Sequence, residues 1–181
     1  ATVLGGRVPG VRRAAVAFVH PDLGIGGAER LIVDAAVGLA AQEHPVVVYT
    51  SHHDPAHAFK ETCDGTLTVK VYGDFLPRSI LGRAHILCAT LRGLYLSCAM
   101  LLLERSFDVV VVDQLSAPIP ILRLAGARII FYCHFPDLKL AAPGGRLAAL
   151  HLYLSVYLSV YLSVYVSVYT SQTSSSLPQA G

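Results

Sequence analysis

A glycine-rich turn between a buried strand and an amphipathic helix restricts this chain more than any other feature. Residues 14–19, AAVAFV, are a short and nearly continuous apolar run, which suits a strand covered on both faces of a parallel sheet. HPDLGIGG follows at residues 20–27. Beyond it Ala28, Leu31, Ile32, Ala35, Ala36, Leu39 and Ala40 recur at helical spacing, while Glu29, Arg30, Asp34 and Gln42 fall elsewhere, so an amphipathic helix is predicted. PVVVYT at residues 45–50 then closes a βαβ unit, whose two strands run parallel through a right-handed connection.

The same logic extends along the chain. TLTVKVY at residues 66–72 reads as a third strand, and residues 83–103 as a long helix that is apolar over most of its circumference and interrupted by Arg92. FDVVVVDQ (107–114) and ARIIFYCHF (127–135) are β-branched and aromatic, the composition of central strands, with a short helix expected at 116–124 between them. This order predicts an α/β fold, a doubly wound, mostly parallel Rossmann-like sheet. Such sheets bind ligands outside the carboxyl ends of their strands, where Gly24, Gly26 and Gly27, the pair Asp113 and Gln114, and His134 are expected to converge. A length of 181 residues accommodates one such domain, divided as a flexible N-terminus (1–13), the Rossmann-like domain (14–140) and a low-complexity tail (141–181).

Composition removes several functions. A formal charge of +2 supplies no field to recruit nucleic acid. Cys63, Cys88, Cys98 and Cys133 show no metal-ligand spacing, and the last three lie in apolar runs as small hydrophobes would, so reduced thiols are expected. No signal peptide is expected, since the apolar run after Arg13 is short and ends at Pro21. His52, His53 and His57 near Asp54 invite a metal reading, but solvated loop histidines are the preferred one and no metal is expected. Glu29, Asp113 and Asp137 show no spacing that requires a paired-carboxylate hydrolase.

The glycine turn has two readings. It is a tight strand-to-helix connection without a ligand, or it lets backbone N–H groups approach phosphate at a helix N-terminus. NAD is disfavoured, because Gly24, Gly26 and Gly27 lead into Ala28-Glu29-Arg30 and the second strand ends in Thr50-Ser51 without a ribose-binding acid. A nucleoside-triphosphate loop fails as well, since no Lys-Ser/Thr pair follows the glycines.

HPDLGIGGAERLIVDAA, FDVVVVDQLSAPIPILRLA and FYCHFPDL together resemble the N-terminal domain of the dolichol-linked-oligosaccharide α-1,3/1,6-mannosyltransferases, retaining GT-B glycosyltransferases of the GT4 type. The resemblance runs from about residue 14 to residue 138. It implies mannosyl transfer from GDP-mannose, without a cofactor, to a dolichyl-pyrophosphate-linked oligosaccharide in N-glycan precursor assembly. The expected place is the cytosolic face of the endoplasmic reticulum membrane, with the membrane surface and other glycosylation enzymes as partners. It further implies that Gly24, Gly26 and Gly27 lie against phosphate, that Glu29 stands beside them in the first helical turn, and that His134 is catalytic and faces the donor sugar. A histidine that merely caps its strand is the alternative for His134. Asp113 and Gln114 either contact acceptor hydroxyls or form a solvated strand terminus.

The resemblance stops after Leu138, where the family would continue into a second Rossmann-like domain with its E-x7-E acidic pair. The expectation is that this half of the GT-B fold is missing and that the chain is truncated and inactive alone; a non-catalytic partner of the lipid acceptor or of the complete enzyme is the alternative. Leu-Ser-Val-Tyr instead repeats three times over residues 154–165, the pattern expected of a translated four-nucleotide repeat. Residues 147–170 carry no charge and suit an aggregating or disordered segment or a membrane-inserted helix. LYLSCAMLLL at residues 94–103 suits a buried helix or one lying in the membrane surface.

Overall fold

The computed structural model describes residues 12–79, 85–104 and 107–132. Its elements are β1 (Val16–His20), α1 (Gly27–Ala41), β2 (Val46–Thr50), two single turns of 3-10 helix (Pro55–His57 and Lys60–Thr62), β3 (Thr68–Val71), α2 (His85–Leu103), β4 (Val109–Asp113), α3 (Ile119–Arg123) and β5 (Arg128–Tyr132). The five strands form one sheet in the order β3-β2-β1-β4-β5, and each neighbouring pair is parallel. Each predicted strand is present: β1 starts two residues later than its apolar run and reaches one residue further, to His20, and β2, β3 and β4 are one or two residues shorter at their ends.

Side-chain alternation divides each central strand between two cores. Val16 and Phe18 of β1 and Val48 of β2 pack with Ile32, Val33 and Ala36 of α1. Ala17, Val19, Tyr49, Val110 and Val112 face the other way, onto Leu96 and Met100 of α2 and Ile119 and Leu122 of α3. Both layers are needed because β1 is buried at all five positions, and each fully buried Val, Leu or Phe contributes roughly 1.5–3 kcal/mol. The chain leaves β1 toward β2 on one side and returns as β4 on the other, so the strand order reverses between β1 and β4. A crevice opens at the carboxyl ends of a sheet where its order reverses in this way.

Helix α2 is only half buried. Cys88, Arg92, Leu96, Ala99 and Met100 face the sheet, whereas Leu91, Tyr95, Cys98 and Leu102 form an exposed stripe. Cys98 therefore departs from its expected place in the interior, for it falls on the outward side of a helix that is apolar all round. Arg92, expected to interrupt the helix, points inward: its guanidinium donates to the carbonyl of Ser51 at 2.5 Å and lies 3.5 Å from Asp74. Burial pushes that guanidinium below its ordinary value, and neighbouring Arg78 adds to the effect. Among the described residues no helix is long and apolar enough to cross a membrane. The tail repeat lies outside the described residues.

Candidate functional site

His20 is the last residue of β1 and Asp113 the last of β4, and they stand side by side because Val19 and Val112 before them are paired. Strand parity turns both side chains toward α1, on the same face as Val16, Phe18 and Val48. His20 Nδ1 donates to Asp113 Oδ2 at 2.8 Å, and each residue is 1% exposed. Across the ring, Nε2 lies 3.4 Å from Oε1 of Glu29 in the first turn of α1. Burial alone would lower the His20 imidazole, but the hydrogen bonds and charges of Asp113 and Glu29 outweigh it and hold the ring above its ordinary value of 6.5. His20 thus lies between two carboxylates at the place where the strand order reverses.

Sequence analysis missed His20, because the His-Pro pair read as the start of a loop. A signal was present: a histidine ending an apolar strand, on the same face as an aspartate that ends another, must find a partner if buried.

Glycines set the position of Glu29. Gly26 is the N-cap of α1 in extended backbone, and the Glu29 side chain folds back over it. A Cβ at Gly26 would overlap Glu29 Oε2 and stand 3.1 Å from its Cδ. Nothing lies within 4 Å of where a Cβ at Gly27 would be, and at Gly24 the nearest neighbour is His57 at 3.8 Å. None of the three has a positive φ, so a left-handed turn is not what selects them. The bare backbone at Gly27 faces open space at a helix N-terminus, an arrangement open to an anion.

The expected convergence holds for Gly24, Gly26, Gly27, Glu29, Asp113 and Gln114, which share the carboxyl edge of the sheet around β1 and β4. Asp113 is not a solvated strand terminus; its carboxylate is spent on His20 within the protein. Gln114 turns the chain with a left-handed φ of 63°, and its N–H donates to the Tyr132 carbonyl at 3.1 Å. His134 lies outside the described residues. The loop histidines do not converge: His52 bonds Asp74 at 2.6 Å and His53 bonds the Thr62 hydroxyl at 3.0 Å. The bond from His52 holds the Asp74 carboxyl below its ordinary value, while burial and His52 push His53 down. Among the described residues no three His, Cys, Asp or Glu side chains group as metal ligands.

Comparison with known proteins agrees with this architecture. Residues 25–174 match Glycosyltransferase Family 4. The chain is 57% identical over 138 residues to the alpha-1,3/1,6-mannosyltransferase ALG2 of Rhizomucor pusillus, a stretch covering 75% of this chain and 30% of that protein. It is 57% identical over 136 residues to the Schizosaccharomyces pombe protein of that name, covering 75% and 27%, and 51% identical over 139 residues to the Saccharomyces cerevisiae one, covering 75% and 28%. The chain thus spans about three-tenths of the length of the curated relatives it matches. A crystal structure of CalG4, the calicheamicin glycosyltransferase, shares the fold at a TM-score of 0.51 and 15% identity, over 84% of this chain and 46% of that one. With 150 of its residues matched, the chain belongs to Glycosyltransferase Family 4.

Proposed function

We propose that these residues form the acceptor-side half of an α-1,3/1,6-mannosyltransferase, which moves mannose from GDP-mannose onto a dolichyl-pyrophosphate-linked oligosaccharide during N-glycan precursor assembly. The observation that carries this reading is the 57% identity over 138 residues to the Rhizomucor pusillus mannosyltransferase. The geometry supports it: the polar groups of the carboxyl edge gather beside an open, glycine-lined helix N-terminus. On this reading the backbone of Gly24, Gly26 and Gly27 takes phosphate, Glu29 and Gln114 border the acceptor, Asp113 supports that edge from within through His20, and His134 meets the donor sugar. No cofactor or metal is invoked, because amides and a helix N-terminus stabilise departing phosphate charge directly.

A polyprenol-anchored acceptor stays in the bilayer, so the site of action is the cytosolic face of the endoplasmic reticulum membrane, among other enzymes of the same assembly. The exposed apolar stripe of α2, with Leu91 50% and Leu102 79% exposed, favours contact with that membrane surface. Flotation of the full chain with liposomes tests the reading. It is expected to float with liposomes carrying the lipid-linked oligosaccharide and to float less with the same lipid lacking the glycan; equal flotation would count against an acceptor role.

A further inference from the structure

The two edge strands of the sheet are not alike. β3 ends it on one side as a four-residue strand that carries Lys70, the kind of short, charged edge that resists further pairing. β5 ends it on the other with Ile129, Ile130 and Phe131 in succession, a sequence suited to a strand covered on both faces. Register assigns those faces. Ile129 and Phe131 lie beside Val110 and Val112 on the side of α2 and α3, and Ile130 lies beside Val111 on the side of α1. Yet Ile130 is 54% exposed and Phe131 41%, so β5 shows apolar surface on both faces.

Backbone hydrogen bonds assign its two edges. The Arg128 N–H donates to the Asp108 carbonyl at 3.0 Å, and the Tyr132 carbonyl accepts from the Gln114 N–H at 3.1 Å. Alternation along a parallel strand then directs the N–H and C=O of residues 128, 130 and 132 toward β4, and those of Ile129 and Phe131 outward. Among the described residues no strand pairs with that outer edge.

We propose that residues 152–169 of this chain supply a further strand along the outer edge of β5. Leu or Val stands at every even position from 152 to 168 and Ser or Tyr at every odd one from 153 to 169, without proline or charge, the period-two pattern of a strand with unlike faces. Residues 133–151 separate this segment from β5, enough for the crossover of about a dozen residues that a parallel neighbour needs. One parity sets Leu/Val beside Phe131 and Tyr beside Ile130, the other reverses them, and both place aromatic against aliphatic side chains. A slip of four residues repeats the same faces, so several registers serve equally. The pairing withdraws an apolar edge and an aggregation-prone repeat from solvent together.

Amide hydrogen exchange of the full chain tests this, with Ile130 as the internal reference for the folded sheet. The N–H groups of Ile129 and Phe131 are expected to exchange about a hundredfold more slowly than unprotected amides, independently of protein concentration. In a variant carrying Val156→Pro, Ser159→Pro, Leu162→Pro, Tyr165→Pro and Val168→Pro, both are expected to lose that protection while Ile130 keeps its own, because proline at every third position removes donors of both parities. Fast exchange of Ile129 and Phe131 in the wild type overturns the proposal, as does protection that survives the prolines. Protection that disappears on dilution assigns the edge to a second copy of the chain and overturns it too. Should the proline variant lose Ile130 as well, the wild-type repeat decides: alternate slow amides within 152–169 are expected, and uniformly fast exchange there overturns the proposal.

Discussion

The Nδ1 of His20 lies 2.8 Å from Oδ2 of Asp113, a buried hydrogen bond that ties the carboxyl end of β1 to that of β4. Removing one partner of such a pair strands the other in low dielectric, so Asp113→Asn is expected to cost about 3–5 kcal/mol. The sign of the pH dependence follows from the direction of the shift. With the folded imidazole held above 6.5, the stabilisation is complete below that value and is lost as pH rises through the folded one. Urea unfolding across a pH series checks both: the wild-type midpoint should decline toward alkaline pH, and the decline should shrink in Asp113→Asn.

Two adjacent glycines should respond to alanine in opposite ways. At Gly26 a methyl group overlaps the Glu29 carboxylate, so Gly26→Ala is expected to destabilise by about 1–3 kcal/mol and to be rescued in part by Glu29→Ala. Gly27 begins α1 with open space around it, and Gly27→Ala is expected to stabilise by about 0.5–1 kcal/mol. If Gly27 is bare to admit a ligand, its alanine variant should also bind pyrophosphate more weakly. Thermal unfolding and pyrophosphate titration of the same samples measure the two effects.

Glu104 follows α2, and its side chain, 8% exposed, accepts from Lys70 Nζ at 2.6 Å and from the Tyr72 hydroxyl at 2.5 Å. Burial would raise this carboxyl, but the bonds from Lys70 and Tyr72 hold it below its ordinary value of 4.5. A depressed carboxyl stabilises the fold above the unfolded value and loses that contribution as pH falls through the folded one. Glu104→Gln is expected to cost about 1–3 kcal/mol near neutral pH and progressively less in acid. Denaturation at neutral and acid pH compares the two.

The fold was legible where sequence pattern and burial coincide. Strands such as Val109–Asp113 are apolar because both faces are covered, and α1 shows a helical stripe because one face is. The glycine loop, Glu29 and Asp113 could be assigned to one edge because parallel strands send all their carboxyl ends the same way. Pairing was less legible. His20 and Asp113 are 93 residues apart, and their contact depends on β4 returning beside β1, a long-range neighbour relation that no local pattern carries. Arg92 is a related case: the sequence marks it as the charged break in an apolar helix, and only the fold places the Ser51 carbonyl opposite it. In α2, hydrophobicity on every side conceals which stripe is buried, and so the apolar run around Cys98 does not reveal that it is exposed.

The most direct test is transfer itself. The 138-residue stretch of the Rhizomucor pusillus enzyme that matches this chain is replaced by the residues of this chain, and mannose incorporation from GDP-mannose into a lipid-linked oligosaccharide is measured. An acceptor-side half of the same enzyme predicts transfer within about tenfold of the unmodified protein, a barrier difference of roughly 1.4 kcal/mol. A folded chimera that still binds GDP-mannose but transfers no mannose would contradict the account.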